Sequence, residues 1–311
     1  MNEQTAAGAI AGVEHWTQKR TPQGDVRVFL WQKYEASPAR KPVLLFVHGS
    51  SMASQPTFDL SVPGRRDSSA MDWFARRGFD CWSVDMEGYG RSSKTRNISC
   101  DIANGVDDLE AATDYILRVR DARELSLYGI SSGALRAALF AQRNPGRVAR
   151  LALDAFVWTG EGSPTLVERR KKLPQFLATT RRPIDRAFIR SIFERDHPEC
   201  AEARVIDAFA EAILALDDSV PNGTYIDMCS KLPLVDPEKI KVPTLVMRGE
   251  FDGIASFDDV LEFFRRLPNP DKQFSVMAGI SHASFQQKNY RTVYHILHAY
   301  LTQPAPVYVR Q

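Results

Sequence analysis

The chain has 311 residues, of which 44% are hydrophobic and 25% are charged, and its formal net charge is +2 at pH 7. These proportions are ordinary for a folded globular protein, and a charge so close to zero gives no footprint for nucleic acid or an anionic membrane. The N-terminus lacks a basic segment followed by an apolar one, and no apolar run has the length of a membrane span. We therefore expect a cytoplasmic protein that binds neither nucleic acid nor membrane.

The cysteines and the short motifs also exclude classes of site. The four cysteines are widely scattered, with no C-x-x-C pair, which is typical of reduced, packed thiols. There is no H-E-x-x-H motif and no phosphate-binding loop, and Gly88-Tyr-Gly90-Arg-Ser-Ser93 lacks the third glycine of a dinucleotide fingerprint. We expect no metal and no organic cofactor. The sequence leaves open whether the chain forms a homodimer.

The N-terminal region predicts strands of two kinds. Residues 1–14 are small and polar, and we expect a frayed tail there. Alternating apolar residues between Trp16 and Tyr34, on either side of a Thr-Pro-Gln-Gly-Asp turn, predict an antiparallel hairpin. The uninterrupted apolar run of residues 42–49 predicts a central strand buried on both faces, and residues 50–68 read as a long loop.

Helices and strands then alternate, which is typical of a mostly parallel sheet covered by helices. The predicted helices cover residues 69–77 and 102–119. The predicted strands cover residues 79–84 and 150–156, and a third strand begins at Leu125 and runs directly into an alanine-rich helix.

The alternation stops after residue 156. Residues 157–238 contain several amphipathic helical patterns broken by prolines and no convincing strand, so we predict an inserted helical cap. A strand from Val242, a helix over 257–267, a strand over 273–277 and a helix over 290–301 resume the alternation. The predicted organisation is therefore a core domain of residues 15–156 and 239–302, a cap of residues 157–238, and mobile tails at 1–14 and 303–311.

The sequence Gly129-Ile-Ser131-Ser-Gly133 stands between the strand that begins at Leu125 and the helix that follows it. A strand that runs straight into a helix leaves one residue at the apex of a tight turn, and small neighbours let the backbone pack that closely. Ser131 would then project at the N-terminal end of a helix, where the dipole and free N–H groups favour negative charge. The pattern predicts that Ser131 is a catalytic nucleophile.

A nucleophilic serine needs a base that accepts its proton. His282 comes directly after a predicted strand in a Gly-Ile-Ser-His loop, and we assign it as the general base. His48 ends a buried strand and is better explained as a residue that shapes the turn. The remaining histidines lie near the N-terminus, in the cap or on the last helix.

The base needs a carboxylate that fixes its tautomer and stabilises the imidazolium. Asp252 ends the strand before His282, and in a parallel sheet both residues lie at the same carboxyl edge, where ligands bind. We assign Asp252 as the acid. Asp154, which ends the strand after the elbow helix, is the alternative acid, and Glu250 is interpreted as a support residue.

A tetrahedral intermediate needs hydrogen-bond donors for its oxyanion. The backbone N–H of Ser132 is one predicted donor. The loop His48-Gly-Ser-Ser supplies the second, and we choose the N–H of Ser50. The predicted substrate-binding residues adjoin these donors or leave the carboxyl edge beside Asp154: Ser51, Met52, Phe156 and Trp158.

Five motifs in this order make the chain similar to the α/β-hydrolase superfamily over roughly residues 20–301. Val47-His48-Gly49 resembles the oxyanion loop, and Asp85-Met-Glu-Gly-Tyr-Gly-Arg-Ser92 resembles a structural turn of the family. Gly-Ile-Ser131-Ser-Gly matches the nucleophile elbow, Gly-Glu-Phe-Asp252 the acid turn and Gly-Ile-Ser-His282 the base loop. The resemblance implies an α/β-hydrolase fold, with a mostly parallel central sheet flanked by helices and an inserted helical cap.

The resemblance also implies a serine hydrolase, which we expect to cleave an ester, thioester or amide of a medium-sized, partly apolar small molecule. Ser131 would form an acyl-enzyme, His282 would protonate the leaving group, and water would release the acid. A carboxylic ester hydrolase is the favoured interpretation. A C–C bond hydrolase or an acyltransferase could use the same triad, and a non-catalytic ligand receptor on this fold is a further alternative.

Overall fold

The computed structural model describes residues 9–307. Its strands are β1 (Ile10–Thr21), β2 (Gly24–Glu35), β3 (Val43–Val47), β4 (Asp80–Asp85), β5 (Leu125–Ile130), β6 (Val148–Asp154), β7 (Arg181–Pro183), β8 (Ser219–Pro221), β9 (Thr244–Gly249) and β10 (Lys272–Met277). Its helices are α1 (Ser54–Phe58), α2 (Ala70–Ala75), α3 (Ile102–Arg120), α4 (Ser132–Arg143), α5 (Pro164–Arg170), α6 (Leu173–Ala178), α7 (Arg186–Glu194), α8 (Ala203–Leu214), α9 (Gly223–Ser230), α10 (Phe257–Arg266) and α11 (Tyr290–Thr302).

Eight of these strands form one sheet, in the order β1-β2-β4-β3-β5-β6-β9-β10. The predicted hairpin is confirmed, because β1 pairs antiparallel with β2 along its whole length, and β2 pairs antiparallel with β4. All the other neighbours in this sheet are parallel. The predicted mostly parallel sheet flanked by helices is therefore confirmed.

The side chains of the central strands alternate between two hydrophobic clusters, one on each face of the sheet. Leu45 and Val47 of β3 point to the face covered by α3, α4 and α10. Leu44 and Phe46 of the same strand point to the face covered by α2 and α11. This burial on both faces explains why the segment reads as one continuous apolar run. The carboxyl ends of these strands are thereby fixed along one edge of the sheet.

Two segments near the N-terminus differ from the sequence prediction. Strand β1 begins at Ile10, inside the segment predicted as a frayed tail, because its ladder with β2 continues to that residue. The predicted loop 50–68 contains the short helix α1. This helix is held by Ser54, whose backbone N–H and hydroxyl both donate to one carboxylate oxygen of Asp85 at 2.7 Å.

Residues 157–238 contain five helices, α5 to α9, and an antiparallel ribbon of β7 and β8. The prediction that this segment holds no strand was therefore wrong. Each of the two strands is three residues long, which is too short for an alternating pattern to be visible in the sequence. The ribbon positions Arg182, whose guanidinium donates to the carbonyl oxygen of Ser50 at 2.9 Å and to the hydroxyl of Ser51 at 3.0 Å. The cap is thus tied to the loop after β3.

Two further features concern sites other than the sheet edge. All four cysteines are buried and unpaired, as their spacing predicted. No helix within residues 9–307 combines the length and the apolar composition needed to cross a bilayer.

Helix α4 lies so close to β3 that Gly133 cannot be replaced without cost. A Cβ at Gly133 would come 2.2 Å from the backbone oxygen of Val47. We expect Gly133→Ala to lower the free energy of unfolding by about 1–3 kcal/mol or more, because the helix must move away from the strand. Urea denaturation of the two proteins measures the difference.

Gly146→Ala is the matched control, because a Cβ there would meet no heavy atom within 4 Å. Equal effects of the two substitutions on the denaturation midpoint would contradict the packing argument.

Candidate active site

The turn between β5 and α4 places Ser131 at the apex predicted for a nucleophile. Its φ is +58°, in the left-handed region that non-glycine residues rarely occupy. Gly129 and Gly133 meet directly below it, where a Cβ at Gly129 would lie 2.4 Å from the carbonyl oxygen of Gly133. The N–H of Ser131 donates to the backbone oxygen of Asp154 at 2.9 Å. The strained turn is therefore stabilised by the close packing of the two glycines and by the hydrogen bond to β6.

The side chains of Ser131, His282 and Asp252 form a continuous hydrogen-bonded chain. Nε2 of His282 lies 2.9 Å from the Ser131 Oγ. Nδ1 of His282 lies 3.0 and 3.1 Å from the two carboxylate oxygens of Asp252. With the proton on Nδ1, Nε2 is free to accept the serine proton.

The Asp252 carboxylate is buried but remains favoured as an anion. Burial alone would raise its pKa, but His282 and the backbone N–H groups of Ile254 and Ala255 together hold the pKa of this carboxyl below its ordinary range. An ionised Asp252 can both orient the imidazole and stabilise an imidazolium.

Asp154, the alternative acid, sits in a different environment. Its carboxylate accepts a hydrogen bond from the Tyr128 hydroxyl, and no hydrogen bond joins it to His282 within residues 9–307. Complete burial raises the pKa of Asp154 to about 7, and the nearby charge of Asp252 adds to this shift. The geometry therefore favours Asp252 over Asp154 as the partner of the imidazole.

The predicted oxyanion donors, Ser50 and Ser132, are brought together beside Ser131. The Ser50 hydroxyl donates to the Ser132 hydroxyl at 2.7 Å, and both residues are buried. In the part of the chain that the structure describes, the backbone N–H of neither residue donates to another protein group. Two unpaired donors next to a serine hydroxyl are the arrangement that an oxyanion requires.

His48 holds the peptide group that carries the Ser50 N–H. Its Nδ1 donates to the carbonyl oxygen of Gly49 at 2.8 Å, and its Nε2 accepts from the N–H of Met86 at 3.0 Å. In a trans peptide the N–H of Ser50 points away from that carbonyl. Burial, aided by the nearby Arg136 cation, lowers the pKa of His48 to about 3, so the ring stays neutral. The residue does shape the turn.

Above Ser131 lies a narrow cavity of about 30 Å³, which we call the inner chamber. Ser51 and Met52, two of the residues predicted to bind substrate, line it. The other residues at its wall are Gly49, Ser50, Thr57, Ile130, Ser131, Arg169, Ile192, Arg195, Tyr225, His282, Ala283 and Gln286. One side of the chamber belongs to the core and the other to the cap.

Phe156 and Trp158, the other two residues predicted to bind substrate, do not line the inner chamber. The chain turns at Ala155, where φ is +51°, and sends both side chains toward α10. The Phe156 ring is fully buried, and its centre lies 4.5 Å from the centre of the Phe263 ring. The Trp158 indole donates to the carbonyl oxygen of Val235 at 3.0 Å. Both residues are part of the packing between core and cap.

Four cap residues at the inner chamber were not predicted from the sequence: Arg169, Ile192, Arg195 and Tyr225. The guanidinium carbons of Arg169 and Arg182 lie 4.2 and 3.7 Å from the centre of the Tyr225 ring, in cation–π geometry. The visible signal was the basic composition of the cap around residues 168–172 and 181–182. Periodicity alone could not show which of those cations face inward.

A wider cavity of about 940 Å³, which we call the outer cleft, opens within the cap. It shares four lining residues with the inner chamber: Arg169, Ile192, Arg195 and Tyr225. The two cavities therefore adjoin at these residues.

No cluster of His, Cys, Asp or Glu among residues 9–307 has the geometry of a metal site. The fold and the elbow geometry define the chain as an α/β-hydrolase. The family model described as serine aminopeptidase, S33, matches residues 61–289, which is more than half of the chain. The protein therefore belongs to that family. No curated protein sequence matches the chain.

Solved structures support the fold. A hydrolase from Pseudomonas aeruginosa PA01 is 17% identical, with a TM-score of 0.69, over 93% of this chain and 99% of that chain. A thermophilic esterase from Thermogutta terrifontis is 19% identical, with a TM-score of 0.66, over 93% and 98%. E-2-(acetamidomethylene)succinate hydrolase is 15% identical, with a TM-score of 0.66, over 94% and 100%. At these identities the likeness establishes the architecture alone.

Arg169, Arg182 and Arg195 should hold the pKa of Tyr225 below its ordinary value. Burial alone would raise the pKa of this phenol, but Arg169, Arg182 and Arg195, with the Ser51 hydroxyl, lower it to about 7. Ultraviolet absorbance of tyrosinate should therefore show one group that titrates near pH 7, and Tyr225→Phe should remove it. Because this pKa is depressed from 10.0, the phenolate's contribution to stability is complete above pH 10 and disappears as the pH falls through 7.

Four other buried tyrosines have raised pKa values and stay outside this window: Tyr89, Tyr128, Tyr294 and Tyr300. Identical titration curves for the wild type and Tyr225→Phe would contradict the electrostatic interpretation.

Proposed function

We propose that the protein is a serine hydrolase that cleaves an ester, thioester or amide of a partly apolar small molecule, with a carboxylic ester as the favoured substrate. The observation that carries the proposal is the chain of hydrogen bonds from Ser131 through His282 to Asp252. Its support is that the serine occupies a strained elbow beside two unpaired N–H groups. That combination has no evident use in a turn that serves packing alone.

In the first half of the reaction, the Oγ of Ser131 attacks the carbonyl carbon of the substrate while its proton passes to Nε2 of His282. Asp252 remains ionised and stabilises the imidazolium. The oxyanion accepts hydrogen bonds from the N–H groups of Ser50 and Ser132. The tetrahedral intermediate then collapses, the bond to the leaving group breaks, and His282 gives its proton to that group.

In the second half, a water molecule attacks the acyl group on Ser131, and His282 accepts the water's proton as it adds. A second tetrahedral intermediate uses the same two N–H donors. Its collapse returns the proton to Ser131 and releases the carboxylic acid. Water reaches the site through the outer cleft, which is wide enough to admit it alongside a departing alcohol or amine.

Substitution of the nucleophile and the base tests the proposal. We expect Ser131→Ala and His282→Ala each to lower the kcat/KM for p-nitrophenyl acetate by about 10⁴–10⁶-fold. Because the two groups act as one unit, the double variant should be no slower than either single variant.

Additive losses would show that the two residues act separately and would contradict the proposed mechanism. Absence of turnover by the folded wild type would favour the non-catalytic receptor. Faster acyl transfer to an added alcohol than to water would favour an acyltransferase.

A pair of conservative substitutions distinguishes the two candidate acids. We expect Asp252→Asn to lower kcat by about 10⁴-fold, because the amide leaves the imidazole in the wrong tautomer. Asp154→Asn should cost far less, since its carboxyl group makes no hydrogen bond to His282. Hydrolysis of p-nitrophenyl acetate at pH 8 measures both. The reverse order of the two effects would assign the role to Asp154.

A further inference from the structure

The cap side of the inner chamber is cationic. Arg169 and Arg195 both line the cavity that holds the hydroxyl of Ser131, and both also line the outer cleft. Arg182, on the ribbon of β7 and β8, lies over the ring of Tyr225, which lines the same chamber. The rest of the wall combines polar side chains, among them His282 and Gln286, with apolar ones such as Met52. A purely apolar substrate gives no reason to concentrate guanidinium groups at this position.

The three arginines differ in how fully the protein uses them. Arg195 forms a bidentate pair with Asp196 at 2.7 and 2.8 Å. Arg182 donates to the carbonyl oxygens of Ser50 and Pro221, at 2.9 and 2.6 Å, and so fastens the cap to the oxyanion loop. Both of these arginines therefore have partners that account for them.

Arg169 has no such partner. Among residues 9–307 its guanidinium donates no hydrogen bond to a protein acceptor, and no carboxylate oxygen lies within 4.0 Å of it. It is half-buried where the chamber adjoins the cleft, and its guanidinium lies over the face of Tyr225. Arg170, its neighbour on α5, is exposed and lines neither cavity.

Tyr225 offsets part of the charge of Arg169, but it presents its ring face and accepts no hydrogen bond from the guanidinium. The N–H groups of Arg169 have therefore lost part of their hydration without gaining an acceptor among residues 9–307, which is costly. Burial lowers the pKa of Arg169, which expresses the same penalty. An anion in the chamber would remove the penalty. The planar fork of an arginine can bind both oxygens of a carboxylate at once, and a carboxylate is the small anion that an acyl group can carry without a further substituent atom.

We propose that the acyl part of the substrate carries a carboxylate, which binds to Arg169 in the inner chamber beside Ser131. The inference rests on the proposed hydrolase function. The carboxylate is placed on the acyl part because the acyl group stays bonded to Ser131 inside the narrow chamber. The leaving group departs through the wider cleft. The substrates are then half-esters, or the matching thioesters and amides, of short dicarboxylic acids.

A pair of esters tests the inference. Ethyl hydrogen succinate carries the carboxylate, and ethyl butyrate is its neutral counterpart of similar length. We expect the wild type to prefer the charged ester, and Arg169→Gln to lower the charged-to-neutral ratio of kcat/KM by about tenfold or more, the effect of a lost charge-assisted hydrogen-bonding partner. Arg169→Lys should restore part of the ratio, since it returns the charge without the fork.

Arg170→Gln is the matched control, because it removes the same charge from the next residue of the same helix. The ratio should be unchanged in this variant. A wild type that prefers ethyl butyrate, or equal ratios in the wild type and Arg169→Gln, would overturn the inference while leaving the hydrolase proposal intact.

A binding measurement keeps the inference separate from catalysis. Isothermal titration calorimetry of the Ser131→Ala variant should detect succinate but not succinamide, and the additional substitution Arg169→Gln should abolish the succinate signal. If the protein turned over neither ester but bound succinate through Arg169, the anion site would stand and the hydrolase proposal would fall. If succinate did not bind, the anion site would be wrong.

Discussion

The close contact of three backbone segments at the elbow constrains the rest of the site. Gly129 and Gly133 meet with no room for a side chain between them, and Gly133 lies against the end of β3. The contact forces Ser131 into its left-handed conformation and points α4 at the site. It also brings the loop after β3 next to the nucleophile, where the hydroxyls of Ser50 and Ser132 are hydrogen-bonded to each other.

The charges around this elbow are divided between core and cap. The core supplies a buried anion, Asp252, held by His282 and two backbone amides. The cap supplies cations, and among residues 9–307 Arg182 and Arg195 donate hydrogen bonds to protein acceptors whereas Arg169 does not. Arg182 also donates to the carbonyl oxygen of Ser50, so the cap is physically joined to the loop that carries a proposed oxyanion donor. Movement of the ribbon of β7 and β8 would therefore also displace that loop.

The fold, and the edge of the sheet at which the candidate site residues lie, could be predicted from the sequence because both depend on local patterns at strand ends. Ser131 follows β5 directly, Asp252 and His282 lie in the loops after β9 and β10, and parallel strands end at one edge of the sheet. The structure shows the hydrogen bonds that join these three side chains. Their catalytic roles remain predictions. The family and the mostly parallel sheet are confirmed.

The remaining features depend on tertiary placement. The turn at Ala155 sends Phe156 and Trp158 away from the chamber, and a single positive φ leaves no trace in a sequence. The strands β7 and β8 are too short to show a period. Arg169 and Arg170 are adjacent and chemically identical, and only the packing of α5 decides which one faces the chamber. Tyr225 resembles any other aromatic residue of the cap until its arginine neighbours are known.

The central claim is that His282 activates Ser131 as a nucleophile. A small fluorophosphonate tests this claim most directly, because it reacts only with an activated serine and the outer cleft is wide enough to admit it. The account predicts one adduct in the wild type, located on Ser131 by mass spectrometry of the peptides, and none in a folded His282→Ala variant. A folded wild type that stays unlabelled, or an adduct on another residue, would contradict it.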